Sequence, residues 1–250
     1  MYVDSHAHVN FEIYENVEDI LKEACKCNVQ NIVNCAEDLK TSYEVINLHN
    51  TYPNLYPAVG IHPQNVDVCT TDDIIELEKI LCSENVIALG EIGLDFYYSR
   101  ENRKKRILFF ESQLKLAEKY NLPVIIHSRN ATDDVLKILK KYSLKGVIHC
   151  FSGSIETARE FIKLGYFLGV GGILTFKNSK LGEVMKNIPI EYILLETDSP
   201  FLTPEPYRKY KNEPKYIPVI AEKLALLKEI KVKDVMEITT ENANRIFDFS

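Results

Sequence analysis

The chain has 250 residues, 46% of them hydrophobic and 26% charged, with a formal net charge of -6 at pH 7. Such a chain can bury a substantial core, and its balance excludes a disordered or low-complexity protein and argues against wholesale coating of nucleic acid, while leaving room for a local basic patch. The N-terminus shows no basic segment followed by an apolar run, and no stretch is apolar for long enough to span a bilayer, so the expected location is the cytoplasm.

In chain order, residues 3–8 (VDSHAH) read as a first strand and 17–27 as a helix with Val17, Ile20, Leu21 and Ala24 on one face. A strand over 29–36, a helix over 41–48 and a strand over 55–62 follow; the last runs into Pro63, which cannot continue a ladder. A helix is expected over 72–81, with Asp72 and Asp73 suiting its positive end. The run 86–92 (VIALGEI) is apolar except for Glu91, and the longest helix is expected over 100–120, with Ile107, Phe110, Leu114 and Ala117 turned inward. Strand 124–128, helix 133–142, strand 146–151, helix 156–164, strand 167–172, helix 181–188 and strand 192–198 complete the series. The tail, 216–247, holds two helices split near 231–233.

Near-continuous apolar strands suit a parallel sheet, and strict strand–helix alternation over this length is the signature of one (β/α)8 barrel spanning residues 1–250. A doubly wound open sheet would call for a glycine-rich phosphate turn after the first strand, where this chain has histidines instead. Six cysteines, at 25, 27, 35, 69, 82 and 150, lack a repeated CxxC spacing and read as small buried hydrophobes.

In a (β/α)8 barrel the C-terminal ends of the strands share one face, where active sites form. On this reading His6 and His8 end strand one, His62 strand three, Glu91 strand four, His127 strand five, His149 strand six and Asp198 strand eight; of the six histidines only His49 falls outside the set. A lone histidine after an apolar strand is ordinarily a hydrogen-bonded core residue, and a lone buried glutamate an ion-pair partner. Their convergence is what points to a site. Four histidines, a glutamate and an aspartate form a nitrogen and oxygen donor set for two divalent ions, magnesium, manganese or zinc, which together can activate a water and clamp the attacking and leaving oxygens of a displacement. Glu91 would bridge both ions, with His6 and His8 on one and His127 and His149 on the other. Asp198 would bind an ion and orient or deprotonate the water. Asp4 is expected to accept a hydrogen bond from a ligating imidazole.

Six segments, Ser5-His6-Ala7-His8, Gly60-Ile61-His62-Pro63, Gly90-Glu91-Ile92-Gly93-Leu94-Asp95, Ile126-His127-Ser128-Arg129, His149-Cys150-Phe151-Ser152-Gly153 and Glu196-Thr197-Asp198-Ser199-Pro200, resemble in order the motif series of the TatD metal-dependent hydrolases. The resemblance spans nearly the whole chain. It implies an amidohydrolase-like barrel, a metal-dependent deoxyribonuclease activity, and ligand roles for His6, His8, Glu91, His127, His149 and Asp198, with Glu91 and Asp198 as the catalytic carboxylates. Other amidohydrolase branches carry a modified lysine where Glu91 stands, which makes a dihydroorotase-like or phosphotriesterase-like assignment less apt.

For substrate contacts, His62 faces the same rim, Arg129 lies two residues past His127 and offers a forked phosphate donor, and Ser152-Gly153 precedes a helix whose amides can cradle an anion. Arg100, Arg103, Lys104, Lys105 and Arg106 crowd a helix N-terminus, where cations oppose the dipole unless an anion answers them; a phosphate track and a solvated charge run both fit. Tyr97 and Tyr98 nearby could stack on bases. The leading expectation is a two-metal DNase trimming single-stranded or frayed DNA ends, with no obligate protein partner. The alternatives are hydrolysis of an ester or amide, such as an aminoacyl-nucleic-acid linkage or a small cyclic amide, and a non-catalytic metal-dependent nucleic-acid-binding protein.

Overall fold

The computed structural model of the chain describes residues 1–249. Its strands are β1 (Tyr2–Ala7), β2 (Val29–Cys35), β3 (Leu55–Val59), β4 (Ala88–Asp95), β5 (Val124–Arg129), β6 (Gly146–Ile148), β7 (Tyr166–Val170) and β8 (Ile193–Leu195). The helices that follow them are α1 (Val17–Lys26), α2 (Leu39–Thr51), α3 (Thr71–Ser83), α4 (Arg103–Tyr120), α5 (Thr132–Leu139), α6 (Ile155–Lys163), α7 (Leu181–Asn187) and, after β8, α8 (Ile217–Lys228) and α9 (Val232–Asn244). Every strand pairs in parallel with its sequence neighbour. Ala7 bridges to Ser199, His8 N donates to Ser199 O at 2.8 Å and Asp198 N to His6 O at 2.9 Å, which brings β1 against the segment after β8. The architecture is the expected (β/α)8 barrel.

Its apolar residues sort into two layers. One lies between strands and helices; the other, Val3, Val33, Ala58, Ile125, Val147 and Leu194 among its members, fills the barrel near the N-terminal ends of the strands, with Phe247 packed into it from the tail. Strand side chains alternate faces, so the residues two beyond these interior positions also turn inward: His127 follows Ile125, His149 follows Val147, and Glu196 follows Leu194.

Two strands break that alternation, and both breaks serve the site. Val3 points inward and Ala7, four residues on, points to the outer layer, because the β1–β2 register slips between Asp4 and Ala7. The slip turns His6 inward. On β4, Ala88 lies inside and Ile92 outside, and the β4–β5 register slips between Leu89 and Ile92, so Glu91 faces the interior while its N–H leaves the ladder to donate to Ala36 O at 3.1 Å. An extra residue in one strand is the standard way to re-aim a side chain next to a site. Further along β4, a Cβ at Gly93 (φ +144°) would lie 2.0 Å from His127 O, so only glycine lets the two strands run side by side here.

Element ends differ from expectation where caps decide them. α2 begins at Leu39 because Asp38 accepts from Thr41 N at 2.7 Å, and α3 begins at Thr71 behind the Thr70 and Asp73 capping box. α4 starts at Arg103 rather than at residue 100, with Asn102 at φ 54° marking the break. β3, β6 and β8 stop at Val59, Ile148 and Leu195, so His62, His149 and Asp198 sit on the turns beyond them; Asp198 itself has φ 55°. The α4 face also differs from the expected stripe: Arg106 and Gln113 are buried on it, whereas Ile107 is only half-buried. The cysteines correct another expectation. Cys35 is buried, but Cys25 and Cys82 are exposed and the other three half-buried, and all six are free thiols.

Candidate metal centre

The six residues expected as metal ligands converge at the C-terminal end of the barrel, and all but the half-buried His127 are buried. Glu91 is their hub. Its Oε2 lies 3.4 Å from His6 Nε2 and 3.6 Å from His8 Nε2, while its Oε1 lies 2.6 Å from His127 Nδ1, 2.8 Å from His149 Nε2 and 3.5 Å from His62 Nε2. Asp198 Oδ1 closes the Oε2 side, 3.6 Å from His6 Nε2 and 3.8 Å from His8 Nε2. Three groups thus each offer ligand atoms within 4.8 Å of one another: His6, His8 and Glu91; His6, His149 and Asp198; and His62, Glu91 and His127. His62, expected at the rim as a substrate contact, therefore stands beside Glu91 within the cluster.

The donor set suits divalent cations. Burial, then the positive neighbour His149, holds the His6 imidazole well below its ordinary pKa, so His6 is neutral with a lone pair to offer. Its Nε2 stands 3.2 Å from that of His8. Burial pushes Asp198 up, and it takes Glu196 to about 8 and Asp4 to about 7, because these carboxyls crowd one dry region. For Glu91, burial is outweighed by His149, His62 and His6, and its carboxyl is held well below the usual range. Burial likewise opposes the charge on His149, but Glu91, Glu196 and Asp198 carry its pKa up to about 10; at His127, Asp95 and Glu91 overcome the same penalty. So much paired and unpaired acidity in a buried pocket of imidazoles calls for cations to balance it.

Around the cluster lies a ring of orienting contacts that the sequence did not disclose. Asp95 Oδ2 lies 3.2 Å from His127 Nε2, and its carboxylate is fixed by Gln64 Nε2 at 2.8 Å and Tyr97 N at 2.8 Å. Cys35 contributes its carbonyl to His8 Nδ1 at 2.9 Å and its thiol to His6 Nδ1 at 3.3 Å. Glu196 Oε1 accepts from Cys150 N at 2.5 Å and lies 3.8 Å from His149 Nδ1; a Cβ at Gly169 would strike Glu196 Oε2 at 2.1 Å. Gln113 clamps Ile61 through both backbone groups, at 2.7 and 3.1 Å, and so fixes the residue before His62. Asp4 does not contact an imidazole; it accepts from Thr197 N at 2.9 Å, Thr197 Oγ1 at 2.6 Å and His6 N at 3.3 Å, tying β1 to the turn that carries Asp198. Asp95 and Glu196 had one available signal: each lies an even number of residues from a candidate ligand, Glu91 or Asp198.

The outer residues sort differently. Arg129 is exposed, and its guanidinium lies 3.7 Å from the centre of the Tyr97 ring, so the side chain is stacked rather than salt-bridged there. Ser152 and Gly153 lie in the loop before α6, but the cap of that helix is Ser154, whose hydroxyl already accepts from Thr157 N. The basic cluster is largely answered within the chain. Arg106 is buried and bonds Asp67 Oδ2 at 2.6 Å and Asp95 O at 2.7 Å, Lys105 bonds Asp67 O at 2.9 Å, and Arg103 bonds Asp134 at 2.5 Å. Arg100 and Lys104 are exposed. His49, outside the cluster as expected, bonds Leu55 O at 2.9 Å. Among the described residues no helix is long and apolar enough to cross a membrane.

Comparison with known proteins agrees with this geometry. The family model described as TatD related DNase matches residues 3–248. The metal-dependent hydrolase YabD of Bacillus subtilis (strain 168) is 40% identical over 252 residues, covering 99% of each chain, and the metal-dependent hydrolase YcfH of Escherichia coli (strain K12) is 34% identical, covering 98% of this chain and 95% of its own. Among solved structures, the TatD homologue YjjV of Escherichia coli K12 superposes with a TM-score of 0.93 at 30% identity, covering 98% of this chain and 97% of that one. With its length matched almost end to end and its carboxylate–histidine cluster at the barrel mouth, the chain belongs to the TatD family of metal-dependent hydrolases.

Proposed function

We propose that this hydrolase cleaves phosphodiester bonds at single-stranded or frayed DNA ends, using two divalent ions of the magnesium, manganese or zinc type. The observation that carries the two-ion reading is the division of Glu91: one carboxylate oxygen faces His6 and His8, the other faces His62, His127 and His149. A carboxylate shared in this way suits a bridge between neighbouring cations. When bound, such a pair supplies Lewis acidity and a water activated at neutral pH.

The chain's own residues account for the rest. Asp198, whose carboxyl burial pushes up, faces the His6 and His8 side and is placed to take the proton of the attacking water; a carboxylate with a raised pKa is the better base near neutrality. Asp95 and the Cys35 carbonyl hold the rings of His127 and His8, so their remaining nitrogens stay aimed inward. Arg129, its guanidinium over the Tyr97 ring, presents its forked donors at the end of β5, the strand that carries His127, where they would bond phosphate oxygens.

The test is cleavage of an end-labelled single-stranded oligonucleotide by metal-stripped protein reloaded with each ion, beside Glu91→Ala and Asp198→Asn. Metal-dependent shortening that both substitutions abolish is the expected result. Absence of shortening by protein that has taken up metal would overturn the DNase reading and point to ester or amide substrates.

A further inference from the structure

Phe201 is a large apolar side chain left 55% exposed three residues after Asp198, and its backbone is unusually well fixed. Its N–H donates to Asp198 O at 2.8 Å, and its carbonyl accepts from Asn212 Nδ2 at 2.5 Å. Asn212 is wholly buried; the same amide reaches Thr197 O at 2.7 Å, its N–H bonds Pro200 O at 3.2 Å, and its carbonyl accepts from Tyr14 OH at 2.6 Å. The loop therefore locks the backbone of Phe201 without burying the ring. An exposed aromatic on a mobile loop needs no explanation, but one held rigidly in the open beside a buried polar site is poised to cover something.

The ring lies beside that of His8, with centroids 6.3 Å apart and planes inclined at 69°. It thus borders the cluster on the His6 and His8 side. On the His127 side, the exposed Tyr97, whose N–H bonds the Asp95 carboxylate behind His127, already carries the Arg129 guanidinium 3.7 Å from its ring centre, so that ring would seat a phosphate donor. The two sides of the mouth differ in kind: one carries a cation over its aromatic ring, the other an aromatic ring left more than half exposed.

From this arrangement we infer that Phe201 is a stacking platform for a nucleobase of the nucleotide next to the scissile phosphate. The inference rests on the DNase reading and adds to it how the substrate's terminal unit is seated. Every base has a π-face, so the platform accepts any base and gives affinity without sequence choice. With the phosphate drawn to Arg129 and the cluster, and the adjoining base laid on Phe201, the scissile bond lies between two fixed points.

The experiment measures steady-state cleavage of single-stranded oligonucleotides by metal-loaded wild type, Phe201→Ala and Phe201→Trp. The oligonucleotides carry either a normal base or an abasic residue at each of the two positions flanking the scissile linkage. Phe201→Ala is expected to raise KM about tenfold on the normal substrate with a smaller effect on kcat, and Phe201→Trp to restore it. Removing the base at one flanking position should cost wild type about the same factor and cost Phe201→Ala nothing further. If ring and base removal multiply instead at both positions, Phe201 does not stack on either base and the inference is overturned. If metal-loaded wild type cleaves none of the oligonucleotides, the DNase reading is what has failed, and the platform falls with it. Metal content of each variant, measured alongside, separates loss of the platform from disturbance of His8.

Discussion

Asp95 Oδ2 lies 3.2 Å from His127 Nε2, on the side of the ring opposite to the Nδ1 that faces Glu91. A carboxylate behind an imidazole fixes which nitrogen carries the proton and raises the basicity of the other. Asp95 is itself anchored by Gln64 and by the N–H of Tyr97, so it is a rigid support. Asp95→Ala is expected to lower metal affinity by roughly 10- to 100-fold, as loss of such partners does elsewhere. A chelator competition titration reads the change directly. Unaltered affinity in a folded variant would mean that His127 is aimed by packing alone.

Metal uptake should acidify the solution. In the metal-free protein His149, raised to about 10 mainly by Glu91 against the cost of burial, carries a proton at pH 7, and ligation by its Nε2 requires that proton to leave. His6, held well below its ordinary value, is already neutral and releases none. Because the folded pKa of His149 is raised, the stability that its pairing contributes is present below about 6.5 and is lost as pH climbs through about 10. Calorimetric titration with metal in buffers of different ionisation enthalpy should therefore give different apparent heats, and affinity should fall as pH is lowered. Heats independent of the buffer would show that no proton leaves.

The site was legible where a polar residue interrupts an apolar strand. Ile125 and Val147 lead by twos to His127 and His149, so pattern alone places both rings inside the barrel. For His6 and Glu91 the pattern was right about the end of the strand but silent about how they turn inward, because that depends on register slips set by the neighbouring strands. The burial of Gln113 and Arg106 was not legible for a related reason: each bonds a loop distant in sequence, at Ile61 or Asp67, and α4's periodicity cannot reveal a polar residue buried by a partner supplied from elsewhere. Cys35 acts largely through its carbonyl, which no side-chain pattern reports.

Phe247 closes the barrel at the end opposite the metal centre. It is 2% exposed and packs among the interior residues of the strands, Val3, Val33 and Val147 included. Phe247→Ala removes a ring from a region that cannot collapse to fill the space, and should cost about 3–5 kcal/mol in denaturant unfolding. Metal affinity should hardly change, since the cavity lies at the N-terminal ends of the strands. A smaller cost would mean that the tail beyond α9 repacks.

Charge removal at the start of α4 should separate the buried cation from the exposed ones. Arg106 holds Asp67, the carbonyl of Asp95 and the carbonyl of Ser99, at 2.6, 2.7 and 3.2 Å. Arg106→Ala strands those acceptors and should cost about 1–3 kcal/mol of stability, whatever the substrate. Arg100 and Lys104 are exposed beside the loop that carries Tyr97, so replacing either by Ala should change stability by no more than about 0.5 kcal/mol. If DNA runs over this edge, each such loss should instead flatten the dependence of log affinity on log salt by about 0.7, the value for one phosphate contact on a single strand. Salt titrations of binding to a labelled oligonucleotide, with Glu91→Ala as the common background to prevent cleavage, read this slope. Identical slopes for the parent and both variants would place the strand elsewhere on the mouth and leave the cluster a matter of stability alone, with Asp67 and Asp134 answering Arg106 and Arg103.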